Sequence, residues 1–244
     1  MIEEIKKEIR FEHMYHKGGH VPRLVAVQAL ISENGAVPIY RHPAEQLPKT
    51  QPFSPCVSAI LAKLNTSQTF NHCLIQFYRN GHDFISEHSD KTLDINTDTD
   101  IINYSVGATR KLIIKPKIHE YGITNKISYY LENESVFVLT PEMNRTMRHE
   151  IKPDKRHDVQ CGERISFTFR SIGTFMLKDG RIWGKGSKFK REEDLPELKE
   201  YMKIAEECRD DEYRDILHAF SRENKECLAS DEIYGDGFLI TNLA

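Results

Sequence analysis

Residues 73–90 read CLIQFYRNGHDFISEHSD, and this stretch is the strongest indication of the fold. Its first part is rich in aromatic and branched apolar side chains, which is typical of a β-strand. A second short run of strand-like residues ends at His88 and Asp90. Because alternate residues of a strand point to the same face, these two side chains can reach one point in space. Three explanations compete for them: a solvated turn, a satisfied polar pair, or two ligands of a metal.

Further strand-like runs follow downstream, and no long helix separates them. Each run is short, rich in Ile, Val, Phe and Tyr, and bounded by Gly, Asn, Asp or Pro. These runs occupy residues 100–107, 109–117, 127–132, 135–140 and 163–175. Together with residues 73–79 they predict an antiparallel sandwich or barrel.

The flanking segments have other patterns. Residues 20–31 predict a strand, and residues 54–66, SPCVSAILAKLNT, predict a helix that begins near Pro55. From about residue 192 the pattern is helical and acidic, which predicts amphipathic helices on the outside of a core that survives their deletion. The chain is therefore divided into an N-terminal extension or substrate lid at 1–53, a core at 54–191 and an acidic helical extension at 192–244.

The composition is that of a globular protein with a sizeable core. The chain has 244 residues, of which 39% are hydrophobic and 29% charged, so it can form one large domain or a domain with an extension. No apolar run approaches the roughly 20 residues that span a bilayer, and the first residues lack a signal-peptide core. The 5 cysteines are scattered without CxxC spacing, which argues against disulfides and a structural zinc site. We therefore expect an intracellular protein, cytoplasmic, nuclear or both, without membrane contact.

Charge is distributed unevenly along the chain. The formal net charge is -3, yet residues 181–191, RIWGKGSKFKR, are basic and residues 192–215 are strongly acidic. A basic segment can contact phosphate groups, although a solvated surface is the more frequent meaning of such a pattern.

A third ligand is required if His88 and Asp90 bind a metal. Iron(II) in oxygen-activating enzymes is often held by two histidines and one carboxylate, which leaves positions open for a cosubstrate and O2. His149 is the best candidate, because it follows the strand-like residues 135–140 and precedes the next arginine-bearing strand by about fifteen residues. That spacing places it beside the first pair in a double-stranded barrel. The other histidines downstream are His119, His157 and His218.

Polar and apolar side chains alternate in RISFTFR, residues 164–170. Arg164, Ser166, Thr168 and Arg170 share one face, and the apolar residues between them share the other. Two arginines inside a barrel are costly unless they meet anions, and guanidinium matches carboxylate geometry with paired hydrogen bonds. A dicarboxylate such as 2-oxoglutarate is therefore a natural partner. The alternative is a solvent-exposed sheet face.

Four motifs, in this order, resemble those of the AlkB-like iron(II) and 2-oxoglutarate dioxygenases. They are QFYRNGHDFISEHSD at 76–90, YSVGATR at 104–110, RTMRHEI at 145–151 and ERISFTFR at 163–170. The resemblance runs from about residue 14 to 175 and does not include the tail beyond about residue 192. The segments HKGGHVPR, IYRHPA, ISEHSDKTLDI and SRENKE resemble a fungal-type subgroup. The resemblance implies an α+β protein with a double-stranded β-helix (jelly-roll) core and flanking N-terminal and C-terminal helices.

The resemblance also implies roles for individual residues. His88, Asp90 and His149 would be the ligands of iron(II), and Arg164 would pair with the far carboxylate of 2-oxoglutarate. Arg170 would support the metal-side carboxylate or Asp90. The remaining cosubstrate contacts would come from Gln76, Tyr78, Ser166 and Thr168, with Gln76 and Ser166 standing where the family commonly has asparagine.

The implied reaction oxidises a C–H bond with O2, while 2-oxoglutarate is decarboxylated to succinate. Where the carbon is an N-methyl group, hydroxylation gives a hemiaminal that releases formaldehyde. Family members mostly act on alkylated bases of DNA or RNA that are flipped into the pocket. The resemblance therefore implies oxidative dealkylation of a nucleic acid.

Residues upstream of the core are compatible with such a substrate. Met14 and Tyr15 have the spacing of an apolar pair that DNA-repair members of the family insert into the duplex, although an ordinary structural role is the more frequent one. Tyr40 can stack on a base or fill the core. Phosphate contacts can be made by Arg23, Arg110, Lys111, Lys115 and Lys117. For the lysines, the alternative is a solvated strand edge.

Lys91 departs from the pattern of the base-repair relatives, which carry an acidic residue after the His-x-Asp motif to read an exocyclic amine. A lysine donates where an acceptor is expected. The base can therefore differ, or the substrate can be a protein or a small molecule. A non-catalytic binding module that retains the barrel is the alternative from another class. The enzyme is favoured because the full set of charged and ligand residues is present, namely His88, Asp90, His149, Arg164 and Arg170. A site that had lost its catalytic activity would have no physical need for buried charges.

Overall fold

The computed structural model describes residues 1–16, 19–44, 48–117, 126–154 and 161–241. Its helices are α1 Ile2–Glu8, α2 Pro55–Lys63, α3 Pro141–Thr146, α4 Leu198–Glu223 and α5 Ser230–Tyr234, with a 3-10 turn at Glu192–Asp194. Its strands are β1 Glu12–His16, β2 Gly19–Ala29, β3 Val37–Pro38, β4 Thr50–Pro52, β5 His72–Tyr78, β6 Ile85–His88, β7 Ile101–Gly107, β8 Arg110–Pro116, β9 Ile127–Leu131, β10 Val136–Leu139, β11 Met147–Ile151, β12 Arg164–Arg170, β13 Thr174–Met176 and β14 Ile182–Gly184.

The strands form a large sheet, a smaller sheet and a short third sheet. The large sheet has the order β1-β2-β5-β12-β7-β10, with β4 beside β2, and the smaller sheet has the order β6-β11-β8-β9. The third sheet contains β14, β13 and β3. Side chains from the large and the smaller sheet line one cavity between them. The predicted jelly-roll core with helices at both ends is confirmed.

The strands that the sequence predicts are present, but the run at residues 163–175 is interrupted, and β1, β3, β4, β11 and β14 form where no strand was predicted. Residues 163–175, which the sequence predicts as one run, are divided into β12 and β13. Ile172 leaves the large sheet to pair with Ile95, and the backbone N–H of Gly173 donates to the carbonyl of Asp94 at 2.8 Å. Tertiary pairing with the segment after Asp90 therefore interrupts a run that is locally suited to a strand.

Both faces of β12 are buried. Ile165, Phe167 and Phe169 pack in a core beneath α1 and α2, where burial of each side chain contributes roughly 1.5–3 kcal/mol. The alternate polar residues Arg164 and Arg170 face the cavity. A solvent-exposed face for these arginines is therefore wrong.

The C-terminal helices pack against the segment that follows Asp90. Leu93 is buried in a cluster with Ile216 and Phe220 of α4 and Tyr234 of α5, which confirms the predicted amphipathic helices. The division at residues 53 and 191 stays a prediction, and β2 from the first part pairs with β5 in the large sheet. All the cysteines are free. Within the described ranges, none of the helices has the length and apolarity that crossing a bilayer requires.

Candidate metal centre and cosubstrate pocket

Three side chains meet where the smaller sheet faces the cavity. His88 ends β6, and antiparallel pairing sets His149 of β11 directly opposite it. Asp90 follows two residues later, and its Oδ1 lies 3.6 Å from Nε2 of His88 and 3.7 Å from Nε2 of His149. Each residue has one potential metal-ligand atom, and these three atoms all lie within 4.8 Å of one another. His149, which the strand spacing favoured, is therefore the histidine that lies beside His88 and Asp90.

The other candidate histidines are not part of this cluster as far as the structure describes them. His218 is exposed on α4. His119 and His157 lie outside the described residues.

Both imidazoles direct Nε2 at the Asp90 carboxylate. Nδ1 of His88 lies 2.7 Å from the carbonyl oxygen of Ser86. Because a carbonyl oxygen only accepts, Nδ1 donates, and in this tautomer of the neutral ring Nε2 is the nitrogen with the lone pair that a metal requires. Burial lowers the pKa of His149 to about 3, so its ring is neutral. Neutral imidazole is the form that binds a metal.

Asp90 is 5% exposed but is held as a carboxylate. Burial alone would raise its pKa, and the Arg170 guanidinium with the two histidines holds that pKa well below its usual range. Oδ2 accepts hydrogen bonds from Nε and Nη2 of Arg170, which leaves Oδ1 directed at the histidines. The guanidinium of Arg170 packs 4.1 Å from the ring centroid of Tyr40. Arg170 therefore fixes the orientation of the acidic ligand.

Asn144 also holds Asp90, and sequence reasoning missed it. Its Oδ1 accepts from the backbone N–H of Asp90 at 2.8 Å, and its Nδ2 donates to the carbonyl of Asp90 at 2.9 Å. Asn144 lies in α3, whose start is capped by the side chain of Thr140 and has Pro141 in the first turn. A single asparagine five residues before a histidine gives no signal in a sequence.

Arg164 lies in the same cavity with unpaired donors. It is 0% exposed, and its Nη2 donates to Oγ of Ser105 at 2.9 Å and to Oδ1 of Asn103 at 3.3 Å. Its Nε and Nη1 are buried and have no hydrogen-bond partner among the described residues. Burial lowers its pKa to about 10, so the group stays charged. A buried guanidinium with unpaired donors fits a carboxylate, as 2-oxoglutarate would provide.

Neighbouring strands arrange further polar side chains around Arg164. Tyr78 pairs with Arg164 in the β5–β12 register, and the guanidinium lies 5.2 Å from its ring centroid. Nδ2 of Asn103 donates to Ser166 at 2.6 Å and to Thr168 at 3.0 Å. Asn103 and Ser105 were also missed, although their alternation within the apolar run 100–107 was a usable signal.

The cavity that holds these groups encloses about 470 Å³, which is within the range of small-molecule sites. Its wall is completed by apolar side chains from the two sheets, including Leu74, Leu112 and Ile151. His42 also lines it, and burial lowers the pKa of His42 to about 3. Sequence reasoning did not single out this residue within the IYRHPA motif.

The β1–β2 hairpin reaches this cavity, but Met14 and Tyr15 do not form an exposed pair. They point to opposite faces of β1. Met14 is 6% exposed, packs against Val25 and lines the cavity. Tyr15 is 37% exposed and its ring lies 4.3 Å from that of His20. Tyr40 is buried in a core cluster and lines the cavity.

The structure does not gather the expected phosphate contacts on one surface. Arg23 is buried along the cavity wall, where its Nε donates to Gln76 and its Nη1 to the carbonyl of Phe84. Arg110 is held inside by the carbonyls of Asn80, Asp83 and Lys152. The lysines also lie in different surroundings. Lys111 packs near Tyr130, and Lys115 forms ion pairs with Glu87 and Glu150. Lys117 donates to the carbonyl of Glu223, and Lys91 is buried along the cavity wall.

The chain is similar to known proteins in both sequence and structure. A family model described as 2OG-Fe(II) oxygenase superfamily matches residues 1–170. Alpha-ketoglutarate-dependent dioxygenase alkB homolog 3 from Mus musculus is 27% identical over 113 residues, which cover 44% of this chain and 38% of that protein. DNA oxidative demethylase ALKBH2 from Mus musculus is 29% identical over 111 residues, which cover 44% of this chain and 45% of that protein.

The chain thus spans less than half the length of the curated relatives that it matches. A solved structure, "The structure of OsALKBH1", has 16% sequence identity and a TM-score of 0.45, and the likeness covers 70% of this chain and 90% of that chain. The fungal-type subgroup stays a prediction. Because the family model matches most of the chain, the protein belongs to the 2OG-Fe(II) oxygenase superfamily, and within its sequence it is similar to AlkB homologues.

Proposed function

We propose that the protein is an iron(II)- and 2-oxoglutarate-dependent dioxygenase that removes N-methyl groups from bases of DNA or RNA. One observation carries the oxidation chemistry. A single cavity contains the His88–Asp90–His149 cluster and a buried Arg164 whose Nε and Nη1 have no partner among the described residues. The donor set fits iron(II), and the unpaired guanidinium fits the carboxylate of its cosubstrate.

In this proposal the side chains of the protein provide position and charge. His88, Asp90 and His149 would hold iron(II), which with 2-oxoglutarate and O2 supplies the oxidation of a C–H bond. Arg164 would orient the far carboxylate of the cosubstrate. Arg170 keeps one oxygen of Asp90 occupied, so that the other stays directed at the histidines. The apolar walls of the cavity limit the access of water to the reacting carbon.

Two observations support a nucleic-acid substrate. One similar protein is described as a DNA oxidative demethylase. In addition, the β1–β2 hairpin brings His16 and His20 to the cavity wall, next to the partly exposed Tyr15. Aromatic and imidazole rings at the mouth of a pocket can stack on a flipped base or its neighbours.

Lys91 narrows the choice of base. It lines the cavity, and a lysine ammonium donates hydrogen bonds but accepts none. A base with a carbonyl oxygen at the edge that meets Lys91 therefore suits the site better than one with an exocyclic amine.

The experiment is a panel of single- and double-stranded DNA and RNA oligonucleotides, methylated on different bases, incubated with iron(II) and 2-oxoglutarate. Mass spectrometry should show the loss of one methylene from at least one oligonucleotide. His149→Ala and a reaction without 2-oxoglutarate should show no loss. An unchanged panel, together with succinate formation that depends on a protein or small molecule, would contradict the nucleic-acid substrate and support the alternative hydroxylase.

A further inference from the structure

Two residues outside the family match contact the segment that carries Asp90. The match ends at residue 170, whereas Glu223 ends α4 and Asn224 is its C-cap. Asn224 lines the same cavity as the histidine and carboxylate cluster. The inference that follows concerns this metal centre and rests on the proposed function.

The side-chain oxygen of Asn224 accepts hydrogen bonds from both sides of Asp90. It accepts from the backbone N–H of Ser89 at 3.0 Å and from its hydroxyl at 3.1 Å. It also accepts from Nζ of Lys91 at 2.7 Å. One amide oxygen therefore ties together the residue before Asp90 and the residue after it.

Glu223 holds the next residue of the same segment. Its Oε1 accepts from the backbone N–H of Thr92 at 3.0 Å and from the Thr92 hydroxyl. Its Oε2 accepts from the hydroxyl of Tyr234 in α5 and lies 3.8 Å from Nζ of Lys91. Its backbone carbonyl lies 3.2 Å from the Ser89 hydroxyl and is the alternative acceptor for the one proton that this hydroxyl donates. Glu223 is itself buried, so these contacts are screened little by water.

These hydrogen bonds hold residues 89–92, which lie beyond the end of β6 and its strand pairing. β6 ends at His88, and no strand in the described part of the chain pairs with residues 89–92. On one side Asn144 holds the backbone of Asp90, and on the other Glu223 and Asn224 hold its neighbours. Further along, Asp94 forms a buried ion pair with Arg41 at 2.6 Å, and Arg41 donates to the carbonyls of Phe238 and Ile240.

We propose that Glu223 and Asn224 are positioning residues of the metal centre. By fixing residues 89–92 they set the distance of the Asp90 carboxylate from His88 and His149, so the C-terminal extension completes the site that the family region begins. Outer-shell groups that orient metal ligands typically change metal affinity by about 10- to 100-fold when removed.

The test is the affinity for Mn²⁺, measured by electron paramagnetic resonance titration of the full chain, together with the thermal midpoint of unfolding. Asn224→Ala should weaken Mn²⁺ binding about tenfold. Asn224→Asp keeps an oxygen that accepts from the same donors and should restore most of the affinity. Ser89→Ala, which removes only the hydroxyl donor, should weaken binding less and provides a milder variant if Asn224→Ala is poorly folded.

The matched control is Tyr201→Phe in the same extension. The Tyr201 hydroxyl accepts from the backbone N–H of Ile182 at 3.1 Å, and Tyr201 packs in a separate cluster. This variant should lower the thermal midpoint but leave Mn²⁺ affinity unchanged. The inference is overturned if Asn224→Ala and Ser89→Ala bind Mn²⁺ as the wild type does, or if Tyr201→Phe loses as much affinity. Absence of Mn²⁺ binding by the wild-type protein would instead overturn the proposed function itself.

Discussion

His149 and His88 are direct partners in the antiparallel pairing of β11 with β6, with ring centroids 4.4 Å apart. The ligand set therefore depends on strand register. A slip of one residue would turn His149 to the opposite face of the sheet and separate it from Asp90. The register is fixed on the other side of β11 by its pairing with β8 over Met147–Ile151.

Replacement of Arg164 by lysine should weaken the binding of 2-oxoglutarate. Lysine keeps the charge but lacks the planar pair of N–H donors, so the carboxylate loses part of an interaction worth about 1.5–3 kcal/mol. We expect a loss of roughly tenfold or more in affinity by calorimetry on Mn²⁺-loaded protein, with unchanged Mn²⁺ affinity. Equal 2-oxoglutarate affinity in Arg164→Lys and wild type would show that the carboxylate binds elsewhere.

Replacement of Asn144 by alanine should destabilise the protein and its metal site together. The backbone N–H and carbonyl of Asp90 would lose their buried partners, at about 1–3 kcal/mol for each unsatisfied group. Urea unfolding should show the loss, and Mn²⁺ affinity should fall with it. Thr146→Ala is the control, since it removes an exposed bond to Glu142 in the same helix and should change stability by less than about 0.5 kcal/mol.

The sequence predicts those parts of the fold that depend on the local periodicity of side chains. The strand runs and the alternation in 164–170 follow from side-chain periodicity, and the His-x-Asp spacing follows from strand geometry. His149 was found because it lies after the strand-like residues 135–140 and about fifteen residues before the arginine-bearing strand. These residues are positioned by the elements to which they belong.

The missed residues are positioned by packing between elements far apart in the chain. Asn144, Glu223 and Asn224 are single polar residues in or at the end of helices, and their partners lie on the loop after β6. Arg110 was a candidate for phosphate contact, but backbone carbonyls of the 80–83 turn enclose it. Contacts between residues so far apart in the chain cannot be predicted from a local sequence pattern.

The metal-free protein should lose stability as the pH falls below about 6.5. Burial holds the pKa of His42 and of His149 at about 3, against an ordinary value of 6.5. Between these values the unfolded chain binds more protons than the folded one, so the free energy of unfolding decreases as pH decreases. Urea midpoints should therefore drop from pH 7 to pH 4, and less steeply in His42→Gln. A flat profile would contradict neutral, buried imidazoles.

Replacement of Tyr15 by alanine should affect the nucleic-acid substrate alone. Stacking of a base on an aromatic ring is worth about 1–3 kcal/mol, so the KM for an active oligonucleotide should rise about fivefold or more. The KM for 2-oxoglutarate should not change. Tyr130→Ala is the matched control, because Tyr130 is also an exposed tyrosine, 63% exposed, but lies on β9 and not on the β1–β2 hairpin. If both variants behave alike, the hairpin does not contact the substrate.

A crystal structure with Mn²⁺ and 2-oxoglutarate tests the central claim most directly. The account predicts one metal ion bound by Nε2 of His88, Nε2 of His149 and Oδ1 of Asp90, with a carboxylate of 2-oxoglutarate on Nε and Nη1 of Arg164. A metal bound elsewhere, an imidazole of His149 turned away from His88, or a cosubstrate that leaves Arg164 unpaired would contradict it.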